Sequence, residues 1–380
     1  MNFDYTEDQQ MVRDSIARFV QDDYDWDTRR AIVASDDGMS RDNWQTMAEL
    51  GWLSIPFSEA DGGFGGNIVD LSVVMEEMGK GLVVEPFFPT VVLFGGVVAR
   101  AGDEAQRASI LESVIGGETL GAFAYVERQS RYAIADCKTA ATKSGDGYTL
   151  NGEKVVVFNG ENADKLVVLA RTSGDQFDEA GLSLFLVDAN AEGVSKVCYP
   201  MMDAQRVANI TFDNVQLGAD ALLGEEGSAA GVVHDVVREA LVALASEAVG
   251  IMGTLNAKTL EYTKTREQFG VAIGSFQALQ HRMVDAMMAY EQAKSLLFKA
   301  LCEYKIDPAS AETTIHALKV LIDRNSKLIY GEAIQMHGGM GITDELDIGH
   351  YAKRLMMINA TLGDGTFHRT KFIESTYAAA

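Results

Sequence analysis

Proline is scarce, with 5 in 380 residues, and no low-complexity tract occurs. Such a chain has few built-in breaks and little of the composition that keeps a polypeptide disordered. Cysteine is scarcer. Cys137, Cys198 and Cys302 are far apart and never form a CxxC pair. That excludes a disulfide framework and implies reduced thiols, as in a cytoplasmic protein. Cations are outnumbered: 32 Lys and Arg against 55 Asp and Glu give a net charge of −23. This argues against nucleic acid as a partner, because phosphate backbones need clustered cations. Any anionic ligand must be met by locally placed Lys, Arg or helix N-termini. The six histidines (His234, His281, His316, His337, His350, His368) show no HExxH-type spacing, so no metal is expected. No GxSxG elbow supports a hydrolase. The N-terminal "MNFDYTEDQQ" is acidic and has no signal-peptide core. The longest apolar run, "ALVALASEAVGIMG", is interrupted by Glu247 and too short to span a bilayer, so no membrane role is expected.

What remains is a composition of 47% hydrophobic and 23% charged residues, that of a globular protein too long for one core. Residues 1–115 carry helical periodicity. "TEDQ" (Thr6 to Gln9) is a capping box, and Val12, Ile16, Phe19 and Val20 follow on one face. Trp44, Met47, Leu50 and Trp52 line another helix that Gly51 and Pro56 terminate. Over 116–227 the texture changes to β-branched runs, with Asn151-Gly152 and Asn159-Gly160 read as hairpin turns. No helical segments alternate with these strands, so a parallel dinucleotide-binding sheet is not expected. Over 228–380 long helical patterns return, one of them expected to open with Asp307 as cap and Pro308 in its first turn and to end at Gly338. The fold class is therefore α+β multidomain: an N-terminal helical bundle (1–115), a middle antiparallel β domain (116–227) and a C-terminal four-helix bundle (228–380).

Three motifs stand out. "TREQFGVAIGSFQALQHRMVDA" (265–286) joins a cation, an aromatic and two glutamines. Arg can chelate a pyrophosphate through parallel hydrogen bonds, and Phe can face a base. "EAIQMHGGMGIT" (332–343) reads locally as a helix end with a glycine cap. "TLGDGTFHRTKF" (361–372) sets Asp364 between glycines, locally a turn.

The three-part order and these motifs resemble the acyl-CoA dehydrogenase flavoprotein family over essentially the whole chain. The resemblance implies FAD as cofactor, an acyl-CoA thioester as substrate and an electron-transferring flavoprotein as electron acceptor. It places Arg266, Gln268, Phe269, Gln277, Gln335 and Gly339 at the dinucleotide of a neighbouring subunit, in a homo- or heterotetramer. Phe158, Thr366 and His368 are expected at the cofactor. Asp364 stands where most of the family has a glutamate that abstracts the α-proton, and a carboxylate suits that task when held in a dry pocket. An aspartate base also resembles nitroalkane oxidase, so oxidase chemistry is the alternative. The family's usual Thr-Glu-Pro-x-Ala-Gly-Ser-Asp segment is replaced by "AYVERQSRYAIAD" (124–136), and its Trp-Ile-Thr-Asn-Gly by "VVFNG" (156–160). The family's substrate-helix Arg falls on Leu241, with Arg238 one turn earlier. These departures, with Gly363-Asp364, are similar to small subunits of two-subunit dehydrogenases (pimeloyl-CoA or steroid type), in which one chain supports another. Glu247, within an apolar helix, is expected to be hydrogen-bonded for structural reasons.

Overall fold

The computed structural model describes residues 5–377; the first four residues of the acidic N-terminal segment lie outside them. Thr6 caps α1 (Glu7–Asp22) as the sequence predicts: its Oγ1 accepts from Gln9 N–H at 3.2 Å and Gln9 Oε1 accepts from Thr6 N–H at 3.0 Å. Helices α2 (Trp26–Val33), α3 (Arg41–Glu49) and α4 (Ile68–Gly81) follow. Trp44, Met47 and Trp52 are buried, whereas Leu50, the C-cap of α3, is 49% exposed. A buried π-helical segment (Phe88–Gly95) leads into α5 (Gly96–Ala101) and α6 (Glu104–Ile115).

The middle of the chain is strands β1 (Gly121–Ala124), β2 (Ala140–Ser144), β3 (Gly147–Phe158), β4 (Lys165–Arg171), β5 (Leu182–Asp188), β6 (Val194–Pro200), β7 (Arg206–Leu217) and β8 (Leu222–Leu223). Seven run in the order β6-β7-β3-β2-β4-β5-β8, and β1 pairs with β4. The sheet is mostly antiparallel, as expected, but β1–β4 and β2–β4 are parallel. Asn151-Gly152 is not a hairpin turn. Strand β3 continues through it, and the register against β7 shifts between Leu150 and Gly152, so the pair marks a bulge. A Cβ on Gly152 would strike Thr139, which explains the glycine.

Helix α7 (Ala230–Thr265) is 36 residues long. By length and composition it could cross a membrane, which corrects the reading of its apolar run as too short, yet 78% of its most apolar window is buried inside the protein. A short hairpin, β9 (Glu267–Gln268) and β10 (Val271–Ala272), leads to α8 (Gln277–Ile306), α9 (Glu312–His337), α10 (Ile348–Ala360) and α11 (Gly365–Tyr377). Helix α9 starts four residues beyond Pro308: Asp307 carboxylate oxygens accept from Ala309 and Ser310 N–H and hold a turn instead. It ends at Gly338, as expected.

The chain forms two compact units. One holds the segments up to Arg30, Ile68–Val83 and from Leu241 onward; the other holds Ala31–Asn67 and Val84–Ala240. In the first, α4 and α7 cross with their backbones nearly touching. A Cβ on Gly79 would strike Glu247 O, and one on Gly250 would strike Glu76 O. Ser72 and Ser246 hydroxyls meet beside the crossing at 2.8 Å. In the second, the apolar inner residues Leu166, Val168, Phe185, Val187, Ile210 and Phe212 pack as one core.

Candidate active site

Asp364 sits in the turn between α10 and α11. The turn is tight: Leu362 and Gly363 have φ of +59° and +120°, a conformation costly for leucine. Asp364 is exposed, so this chain by itself does not hold it in the dry pocket expected of a base; its Oδ1 accepts from Thr366 N–H (2.9 Å) and Phe367 N–H (2.8 Å), capping α11. The turn expected from local sequence therefore exists. Among the described residues no hydrogen bond engages Oδ2. Thr366 is also exposed.

His368 is 1% exposed. Its Nε2 lies 3.1 Å from Leu362 O, an acceptor, so that nitrogen carries the hydrogen. Burial, with the charges of Lys319 and His316, pushes its imidazolium down to about 3, so the ring is neutral. Its Nδ1 must then accept from His316 Nδ1–H, 2.9 Å away. Both ring nitrogens are thus spent inside the chain. This corrects the expectation that His368 bonds the cofactor: its neighbours within the fold claim both polar atoms first. Beneath the turn, Lys319 is buried and donates to Ile358 O and Asn359 O, closing the C-terminus of α10. Burial pushes its ammonium down to about 7, against the pull of Asp323 and Asp364.

The second group lies at the opposite end of α9. Arg266, Gln268, Phe269, Gln277, Gln335 and Gly339 are all exposed. Phe269 tops the β9–β10 hairpin with φ +55°, its ring 93% exposed and edge-on to Phe276 at 6.3 Å. Gly270, with φ +81°, completes the two-residue turn. Tyr262 stacks on His337 with centroids 4.2 Å apart, joining the α7 end that carries Arg266 to the α9 end that carries Gln335. A Cβ on Gly338 or Gly339 would meet nothing within 4 Å. Nothing in the chain crowds position 339, so the backbone there is open to solvent near Gln335. Arg266 makes no salt bridge among the described residues. A guanidinium, an exposed aromatic ring, amide side chains and uncovered backbone are groups of the kind that engage a pyrophosphate and a base. Asp323, beneath the Asp364 turn, and Gln335 are 12 residues apart on α9, roughly 18 Å. The structure therefore separates Asp364 from this set.

Phe158 belongs to the other unit, half-buried and edge-on to Phe88 at 6.3 Å. There the atypical 124–136 segment has a structural task that its sequence did not reveal. Glu127 is buried and accepts from Lys154 Nζ (2.8 Å), Lys138 N–H, Thr139 N–H and Gln129. Burial alone would raise its carboxyl, but Lys154 and these donors bring it down to about 2. Arg238 is paired with Asp235 at 2.6 Å. Glu247 is hydrogen-bonded as expected: Arg354 Nε and Nη2 grip its two oxygens at 2.6 and 2.7 Å. His281 is exposed. Sequence reading missed Arg354, which lies 107 residues from Glu247. It also missed His316, Lys319, Asp323 and Ser326, although their spacing on one helical face was a usable signal.

Comparison with known proteins assigns these features to a family. Residues 6–118, 122–215 and 232–374 match the N-terminal, middle and C-terminal domains of acyl-CoA dehydrogenase. A short-chain specific acyl-CoA dehydrogenase of Clostridium acetobutylicum is 27% identical over 365 residues, covering 92% of each chain. An L-prolyl-peptidyl-carrier-protein dehydrogenase of a Serratia strain is 28% identical over 376 residues, covering 96% of this chain and 95% of that protein. The solved structure of PigA with FAD and proline superposes with a TM-score of 0.92 at 26% identity, covering both chains in full. The chain belongs to the acyl-CoA dehydrogenase family, oxidoreductases acting on CH–CH bonds.

Proposed function

We propose that this protein is an FAD-dependent dehydrogenase that introduces an α,β double bond into an acyl thioester, with Asp364 as the base. The observation that carries the reading is the unsatisfied set at the bundle end: an exposed, left-handed Phe269, an Arg266 without a salt bridge among the described residues and uncrowded backbone at Gly339. Arg266 would hold the pyrophosphate, Phe269 and Gln268 the adenine side, and Gln277, Gln335 and Gly339 the remaining contacts. When bound, the flavin supplies the acceptor for the β-hydride. Asp364 takes the α-proton on Oδ2 while Oδ1 stays fixed on the α11 amides. The Thr366 backbone N–H is one of those amides. Because Asp364 and the dinucleotide set lie at opposite ends of α9, each flavin would be shared between subunits of a homo- or heterotetramer. An electron-transferring flavoprotein would reoxidise it.

The test is Asp364→Asn. It should keep its flavin and lose α-proton exchange in bound acyl-CoA by about 100-fold or more. Retained exchange refutes Asp364 as base. A second reading, a thioester on a carrier protein, is favoured by the Serratia relative, an L-prolyl-peptidyl-carrier-protein dehydrogenase matched over nearly its whole length. Turnover of butyryl-CoA against an aminoacyl carrier protein separates the two. Rapid oxidation of the reduced flavin by oxygen alone would instead favour oxidase chemistry.

A further inference from the structure

The turn that carries Asp364 is held from below by one face of α9. His316, Lys319, Asp323 and Ser326 are spaced three, four and three residues apart, one stripe of a helix. Each meets the turn or the helix ends that flank it. His316 Nδ1–H bonds the His368 ring, whose Nε2–H holds Leu362 O in its left-handed conformation. Lys319 donates to the last carbonyls of α10. Asp323 lies so close to Gly365 that a Cβ there would strike Oδ2, which accounts for the second glycine of Gly-Asp-Gly. Ser326 exchanges hydrogen bonds with the Asn359 amide at 2.8 and 3.2 Å. A Cβ on Gly363 would strike the His368 ring, so that glycine also answers to the histidine.

A strained, solvent-facing carboxylate turn gains nothing from so many buried polar groups unless its position matters. We infer that His316 and His368, with Lys319 on the same helix face, are positioning residues: they fix the Leu362–Gly363 segment and so set where Asp364 stands. The inference rests on the reading of Asp364 as base. The mechanism needs no proton to pass along the pair. His368 Nε2 and Nδ1 have fixed donor and acceptor roles, and a glutamine could reproduce both, its amide N–H reaching Leu362 O and its Oε1 accepting from His316.

That equivalence supplies the experiment. His368→Leu should lower kcat by about 10- to 100-fold with KM within about threefold, because the base is misplaced rather than substrate binding lost. Amide hydrogen exchange of residues 361–367, read by mass spectrometry on the intact holoprotein, should accelerate about tenfold in the same variant. His368→Gln should restore both readouts relative to His368→Leu. Lys319→Met, which removes the buried ammonium but keeps a similar shape, should loosen the same peptide and serves if His368→Leu does not fold. Unchanged exchange across 361–367 in His368→Leu or Lys319→Met overturns the inference, as does a glutamine variant no better than leucine. If Asp364→Asn retains α-proton exchange, the base assignment fails, and the amide-exchange result still decides whether the pair fixes the turn.

Discussion

Removing Arg354 isolates the contribution of one buried ion pair. Its guanidinium grips both Glu247 oxygens at 2.6 and 2.7 Å, and the side chains are only 10% and 8% exposed. The pair lies where α4 and α7 cross with glycines at 79 and 250, so the backbones have no slack with which to admit water to an orphaned carboxylate. Arg354→Met leaves Glu247 without its counter-ion, a change that costs about 3–5 kcal/mol when water cannot compensate. The doubly apolar Glu247→Leu/Arg354→Met removes both charges and should recover most of that loss, because desolvation of the pair offsets much of its attraction. Urea unfolding followed by far-UV circular dichroism gives four stabilities, those of the parent, Arg354→Met, Glu247→Leu and the double variant, and the cycle gives the coupling. An Arg354→Met protein within about 0.5 kcal/mol of the parent would refute the reasoning. So would a double variant less stable than the single one.

Two further outcomes follow from the site and the sheet. Arg266→Ala and Phe269→Ala should each lower FAD content after gel filtration, with Arg266→Ala the stronger because it removes a bidentate, charge-assisted contact worth about 1.5–3 kcal/mol; unchanged flavin-to-protein ratios would refute the assignment. Glu127 has its carboxyl lowered to about 2 from 4.5, so the unfolded chain takes up that proton first as pH falls. Its contribution, up to about 3 kcal/mol, is complete above 4.5 and drains away toward 2. Urea midpoints from pH 6 to 2 should fall less steeply in Glu127→Gln, and an identical slope would show that Glu127 is not responsible.

Much of the architecture could be read from local pattern. The capping box at Thr6, the helix stop at Gly338 and the change to β texture near Gly116 all reflect short-range chemistry that tertiary packing reinforces. Asn151-Gly152 misled because a glycine needed for close approach to Thr139 looks the same in sequence as one needed for a turn. Asp307-Pro308 misled because the aspartate caps an isolated turn before the helix proper. At the site, the motifs located Asp364 and the hairpin but not their support. The role of Arg354 depends on a partner 107 residues away, and that of Lys154 on Glu127, 27 residues away across the sheet. No local pattern carries such pairings. His368 was legible as a residue and illegible as an environment, since its burial and its His316 partner arise only when α9 and α11 pack together.

The bare phenyl ring at the tip of the hairpin has a thermodynamic consequence. If its binding partner is a nucleotide held by another protomer, cofactor retention and quaternary association are one linked equilibrium. Dilution would then strip the yellow colour from the protein, and added FAD would drive separated protomers back together.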